Sequence, residues 1–117
     1  MLIYEVNLTV DEDVASRYSA WLREHIREML EVDGFEAAAW YVRSEDGDTI
    51  PEAGEPTDPR EWTIQYQVRD RDALQAYFDD HAEDMRREGV EKFGDHVTSS
   101  RRIYEQKRLF QGRRKED

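Results

Sequence analysis

One rhythm constrains this chain more than any other feature: it reads strand, helix, strand, and then the same again. In residues 2–10, Leu2, Tyr4, Val6, Leu8 and Val10 alternate with polar Glu5, Asn7 and Thr9. A period of two marks a half-buried strand. Asp11 is placed to cap a helix, and Glu12 and Asp13 suit the positive end of one. Val14, Tyr18, Trp21, Leu22, His25, Ile26 and Met29 recur at helical spacing. They predict an amphipathic helix of about five turns, ended by Gly34. Phe35 to Arg43 reads as a second strand. Trp62, Ile64, Tyr66 and Val68, alternating with Thr63, Gln65, Gln67 and Arg69, read as a third. Asp70 then caps a second helix with the stripe Leu74, Tyr77, Phe78, His81 and Met85, which Gly89 is predicted to close. Val90 to Phe93 is expected to add a short turn, and residues 95–108 a fourth strand.

Right-handed crossovers place both helices on one face of a four-stranded antiparallel sheet. The expected class is therefore α+β, a ferredoxin-like βαββαβ arrangement. Residues 44–60 hold all three prolines and six acids, and predict a long polar loop. Neither flank is large enough to fold alone, so residues 1–108 form one expected domain. Residues 109–117 are expected to be a basic, disordered tail.

Charge narrows the partners. The chain has 28 acidic and 17 basic residues, for a net charge of −11. Residues 101–117 hold seven basic and three acidic residues, or +4, so residues 1–100 carry −15. Such a body repels nucleic acid and anionic lipid, and neither is an expected partner. No apolar run approaches the ~20 residues of a membrane span. Met1 leads straight into the first strand without a secretory pattern, so the expected compartment is the cytoplasm. The basic residues are 14 Arg and only three Lys, a composition expected of a halophilic protein, or of an ordinary acidic protein from a genome biased toward Arg codons. At ~1 M salt the Debye length is only ~3 Å, which screens the self-repulsion of an acidic surface. The absence of cysteine excludes disulfides, thiolate nucleophiles and Cys-ligated zinc. No P-loop, G-x-G-x-x-G or G-x-S-x-G is present, so no nucleotide cradle or nucleophile elbow is expected. No cofactor and no metal are expected.

If Tyr4, Val6 and Leu8 face the helices, then Ile3, Glu5, Asn7 and Thr9 face away, with Thr63, Gln65, Gln67 and Arg69. Amides and hydroxyls are unusual on an open face of so acidic a chain. They predict a face covered by a small ligand or by a second subunit, in a two-fold homodimer whose sheets face each other. Glu5, Gln65 and Gln67 are the candidate ligand-binding residues there. His25 is a further candidate, on the apolar stripe of the first helix. His81 lies on the stripe of the second, and the two are expected to approach in the core. A half-buried histidine serves as general base or metal ligand. Neither has metal-ligand spacing, and a core histidine bonded to a neighbour is the plainer reading. His96 is expected to be exposed. The acidic pairs Asp79-Asp80 and Asp70/Asp72 read as solvated.

Several short segments are familiar as a set: Ile3-Tyr4-Glu5-Val6; Trp21-Leu22-Arg23-Glu24-His25-Ile26 with Met29-Leu30; and His81-Ala82 with Met85-Arg86, Gly89, Phe93-Gly94 and Arg101-Arg102. Over most of residues 2–105 the chain resembles the bacterial family called domain of unknown function 4286, near the dimeric α+β barrel superfamily. The resemblance implies the fold and a barrel-type homodimer, and carries no activity with it. Asn7, Trp62 and His81 are similar in type to the Asn/Trp/His set of cofactor-independent and haem-degrading monooxygenases of that superfamily. That likeness makes them candidate catalytic residues of a monooxygenase-like enzyme. The leading expectation is instead a homodimer that binds a small ligand or a protein partner on its free sheet face.

Overall fold

A computed structural model describes residues 1–43 and 61–113. The alternating segments become β1 (Leu2–Val10), β2 (Phe35–Val42), β3 (Glu61–Val68) and β4 (Val97–Glu105). The helices are α1 (Ala15–Met29), α2 (Arg71–Asp80) and α3 (Ala82–Phe93). The sheet order is β2-β3-β1-β4 and every neighbouring pair is antiparallel. Two crossovers, each skipping one strand, give the ferredoxin-like α+β fold. The expected loop over 44–60 lies outside the described residues, as do tail residues 114–117. Residues 106–113 follow β4 without helix or strand.

Register decides which side chains meet the helices. Tyr4 pairs with Tyr66, Val6 with Ile64, and Leu8 with Trp62, and all point to the helix side. Aromatic rings build most of that core. The Tyr4 ring lies 5.6–6.4 Å, centre to centre, from Phe35, Tyr66, Tyr77 and Phe78. Tyr18 lies 4.9–6.2 Å from Trp21, Trp62 and Phe93. Each such pair adds about 0.5–1.5 kcal/mol beyond simple burial.

The helices depart from expectation in three places. The 3-10 turn before α1 has no side-chain cap. Asp11 instead pairs through Oδ2 with His96 Nδ1 at 3.1 Å, tying the start of the first crossover to the end of the second. The second helix does not run on to Gly89. It breaks at His81, whose backbone leaves the helical region (φ −129°), and resumes as α3. Ala82 takes the buried position expected for His81. Gly89 lies inside α3, where an added Cβ would stand 3.0 Å from Cη2 of Trp21. It is there for the close approach of α3 to that ring rather than as a stop; Gly94, at φ +53°, ends the helix. By contrast, Asp70 caps α2 as its position predicts, accepting from the Ala73 amide at 2.8 Å.

Candidate functional site

The sheet has two faces with different chemistry. On the face away from the helices, β1 and β3 bring Glu5, Asn7, Thr63 and Gln65 side by side. Gln65 Nε2 donates to Glu5 Oε1 at 2.9 Å, while Asn7 Nδ2 (3.0 Å) and the Tyr104 hydroxyl (3.1 Å) donate to Oε2. Thr63 Oγ1 donates to Asn7 Oδ1 at 2.7 Å. Glu5 is only 8% exposed. Burial pushes its carboxyl upward, but the donors Gln65, Asn7 and Tyr104 and the charge of Arg102 outweigh that and hold it below its usual value. Glu5 and Gln65 thus hold each other, and Gln67 stands exposed on the same face. The face is polar because its members are bonded among themselves.

The helix side encloses a cavity of about 220 Å³ between the sheet, α1 and α3. Val6, Leu22, Met29 and Ile64 supply apolar wall, and both aromatic clusters contribute to it. Polar groups converge there. His25, half-buried on α1, stacks on Trp21 with ring centres 4.6 Å apart and planes 16° apart. Its Nδ1 is buried and has no hydrogen-bond partner among the described residues. Burial lowers the His25 pKa, Arg101 lowers it further, and Glu88 opposes. The ring is therefore neutral at pH 7. Burial also raises the hydroxyls of Tyr18 and Tyr77 to about 12 and moves Tyr66 up as well, so all three stay protonated. Arg101 Nε donates to the Tyr4 hydroxyl at 3.0 Å, and Arg86 Nη2 approaches the same oxygen at 3.4 Å. A more open hollow of about 210 Å³ between α1 and β2, beside Trp40, gathers no comparable set.

The structure does not bring Asn7, Trp62 and His81 together. Asn7 pairs with Thr63 on the outer face, whereas Trp62, opposite Leu8, is buried on the helix side. His81 is exposed at the α2–α3 break, so it does not meet His25 in the core. Of the residues singled out in the sequence, only His25 lines the helix-side cavity. Sequence reasoning missed Tyr4, Arg86 and Arg101 as site residues. A signal existed for Arg101: it occupies an inward position of β4, opposite Val6, where alternation calls for an apolar side chain. Among the described residues, no group of three His, Asp or Glu is placed to hold a metal ion. No helix among them is long and apolar enough to cross a membrane.

A family model for a domain of unknown function (DUF4286) matches residues 1–107. No curated protein matches the chain. Solved structures share its fold. A candidate antibiotic biosynthesis monooxygenase from Deinococcus radiodurans superposes with a TM-score of 0.70 at 12% identity, over 97% of this chain and 99% of that one. A variant of SnoaB, a cofactor-independent oxygenase from Streptomyces nogalater, gives 0.65 at 8% identity, over 92% and 95%. A conserved protein from Methanosarcina mazei Go1 gives 0.62 at 18% identity, over 92% and 94%. At these identities the likeness is one of fold.

Proposed function

The chain belongs to the DUF4286 family, and we propose that it binds a small molecule in the cavity between its sheet and helices α1 and α3. The observation that carries this is the cavity itself, an aromatic-walled space of about 220 Å³ onto which a few polar side chains, His25, Arg86 and Arg101, converge. A thermal-shift screen with small aromatic compounds tests the reading. A ligand at ~100 times its Kd stabilises by about 2.7 kcal/mol, a shift of several degrees. Met85→Trp, which fills the cavity from α3, should remove the shift while the protein still melts cooperatively. A shift that survives Met85→Trp places the ligand elsewhere.

The outer sheet face is better suited to a second copy of the chain than to the ligand. Its central polar groups are already bonded to one another, and Ala37, Ala39 and Tyr41 of β2 extend it with uncharged side chains. A face whose central carboxylate is already hydrogen-bonded and whose β2 side is uncharged fits a two-fold dimer. Light scattering should give twice the 14.0 kDa chain mass for the wild type and the single mass for Ala39→Arg. A wild-type monomer at ~100 μM would rule the dimer out.

A second reading is a cofactor-independent oxygenase, which the names of the fold neighbours suggest. It cannot rest on Asn7, Trp62 and His81. Such chemistry would sit in the helix-side cavity, where His25 lies among aromatic side chains. Oxygen uptake on mixing with a bound ligand would support it, and its absence would leave binding alone.

A further inference from the structure

The cavity stands out in this protein by what its lining lacks. The chain has 28 acidic residues, yet among the described residues no Asp or Glu lines this space. The charged groups that do line it are Arg86 and Arg101. They come from different elements, α3 and β4, and converge on one oxygen, the Tyr4 hydroxyl. Arg101 also donates from Nη1 to Ser99 Oγ at 3.2 Å. Neither arginine forms an ion pair with a carboxylate among the described residues, although other arginines do, such as Arg71 with Glu105 and Arg87 with Glu83. Both are exposed, as are Val90 and Ser99, so this end of the cavity is its mouth. Further in, Leu22, Met29 and Ile64 are buried and apolar. The cavity is thus polarised along its length, with two guanidinium groups at the opening and an apolar floor.

We infer that the ligand is a small aromatic monocarboxylate, with its carboxylate at Arg101 and Arg86 and its apolar body between the two aromatic clusters. This rests on the helix-side cavity being the binding site. Guanidinium groups match carboxylates in shape and charge, and no carboxylate among the described lining residues competes for them. A volume of about 220 Å³ accommodates a body of one or two fused rings. His25 adds a donor inside. Its Nδ1 has no accessible surface, so the Nε2 edge is the part of the ring that meets a ligand. An orphaned lone pair is tolerated better than an orphaned N–H, which assigns the proton to Nε2. A neutral Nε2–H then faces the bound molecule as donor. Arg86 and Arg101, exposed at the mouth, also draw an anion toward the opening.

The probes are 2-naphthoate and its uncharged counterpart 2-naphthamide, titrated at pH 7 by calorimetry. The expected result is that naphthoate binds at least about tenfold tighter than the amide. Arg101→Gln should remove that preference, weakening naphthoate about tenfold or more and leaving the amide unchanged. Arg86→Gln should act in the same direction, and an unchanged near-UV dichroism spectrum shows that the variants are folded. Equal affinities for the two probes, or a preference untouched by both substitutions, would overturn the carboxylate assignment while leaving a small-molecule cavity. If neither probe binds, the aromatic carboxylate assignment falls, and the cavity reading is decided separately by the thermal-shift screen with Met85→Trp.

Discussion

Glu5→Ala is expected to destabilise the protomer by about 2–4 kcal/mol, although Glu5 sits on the sheet face opposite the core. Three side chains from three strands donate to this one carboxylate: Asn7, Gln65 and Tyr104. Removing it leaves three donors without their acceptor, and Asn7, which also accepts from Thr63, loses its anchor. Hydrogen bonds to a charged group are worth about 1.5–3 kcal/mol, and partial hydration of the face returns some of the loss. For a domain of this size the melting temperature should fall by roughly 10 °C. The pH dependence has a definite sign. The folded carboxyl titrates below its usual value, so its contribution is complete above the unfolded carboxylate pKa. That contribution is lost as pH falls through the lower, folded value. Urea melts across this range should show the gap between wild type and Glu5→Ala closing as the solution is acidified. A constant gap would mean that the charge of Glu5 is irrelevant and only its volume matters.

Gly34→Val is expected to cost about 3–5 kcal/mol, for two separable reasons. Gly34 has φ +86°, a region that a β-branched residue enters only with strain. An added Cβ there would also lie 2.4 Å from the Ala73 Cβ, far inside contact distance. Ala73 is buried in the first turn of α2, held by the Asp70 cap, and cannot swing away. The junction between α1 and β2 is thereby locked to the start of α2, and the Gly34 carbonyl accepts from the Arg69 amide at 2.8 Å. Gly34→Ala with Ala73→Gly separates the two causes. The pair should relieve the clash and keep the backbone strain, so the double variant should be more stable than additivity predicts. Additive losses in urea denaturation would show that the clash is relieved by movement of the backbone.

The strands were readable because a period of two needs no knowledge of anything distant. Leu2, Tyr4, Leu8 and Val10 are buried as their alternation requires. Asp70 was readable for a similar reason, since a cap is a local bond. The break at His81 was not, because no Pro or Gly marks it and the apolar stripe continues through it. Gly89 misled for the opposite reason. A glycine in a helical pattern reads as a stop, whereas this one makes room for Trp21, on a helix far earlier in the chain. The site was the least legible part. His25 was identifiable as a histidine on an apolar stripe, but the role of Arg101 depends on Tyr4 and Arg86, which come from separate elements. Asn7 and Trp62 were grouped by residue type, from the likeness to an Asn/Trp/His set, which says nothing about which face each one takes. They stand one register position apart on neighbouring strands, and one position in a strand is the difference between the two faces of the sheet.

The ligand is placed on the helix side of the sheet, and methyl-resolved NMR of the full chain titrated with 2-naphthoate tests that placement most directly. Shift changes are expected at Met29, Met85, Leu22 and Ile64, whose methyl groups line the cavity, with Ala37, Ala39 and Thr63 unmoved. Changes confined to Ala37, Ala39 and Thr63, with the cavity methyls silent, would contradict it and put the ligand on the outer face.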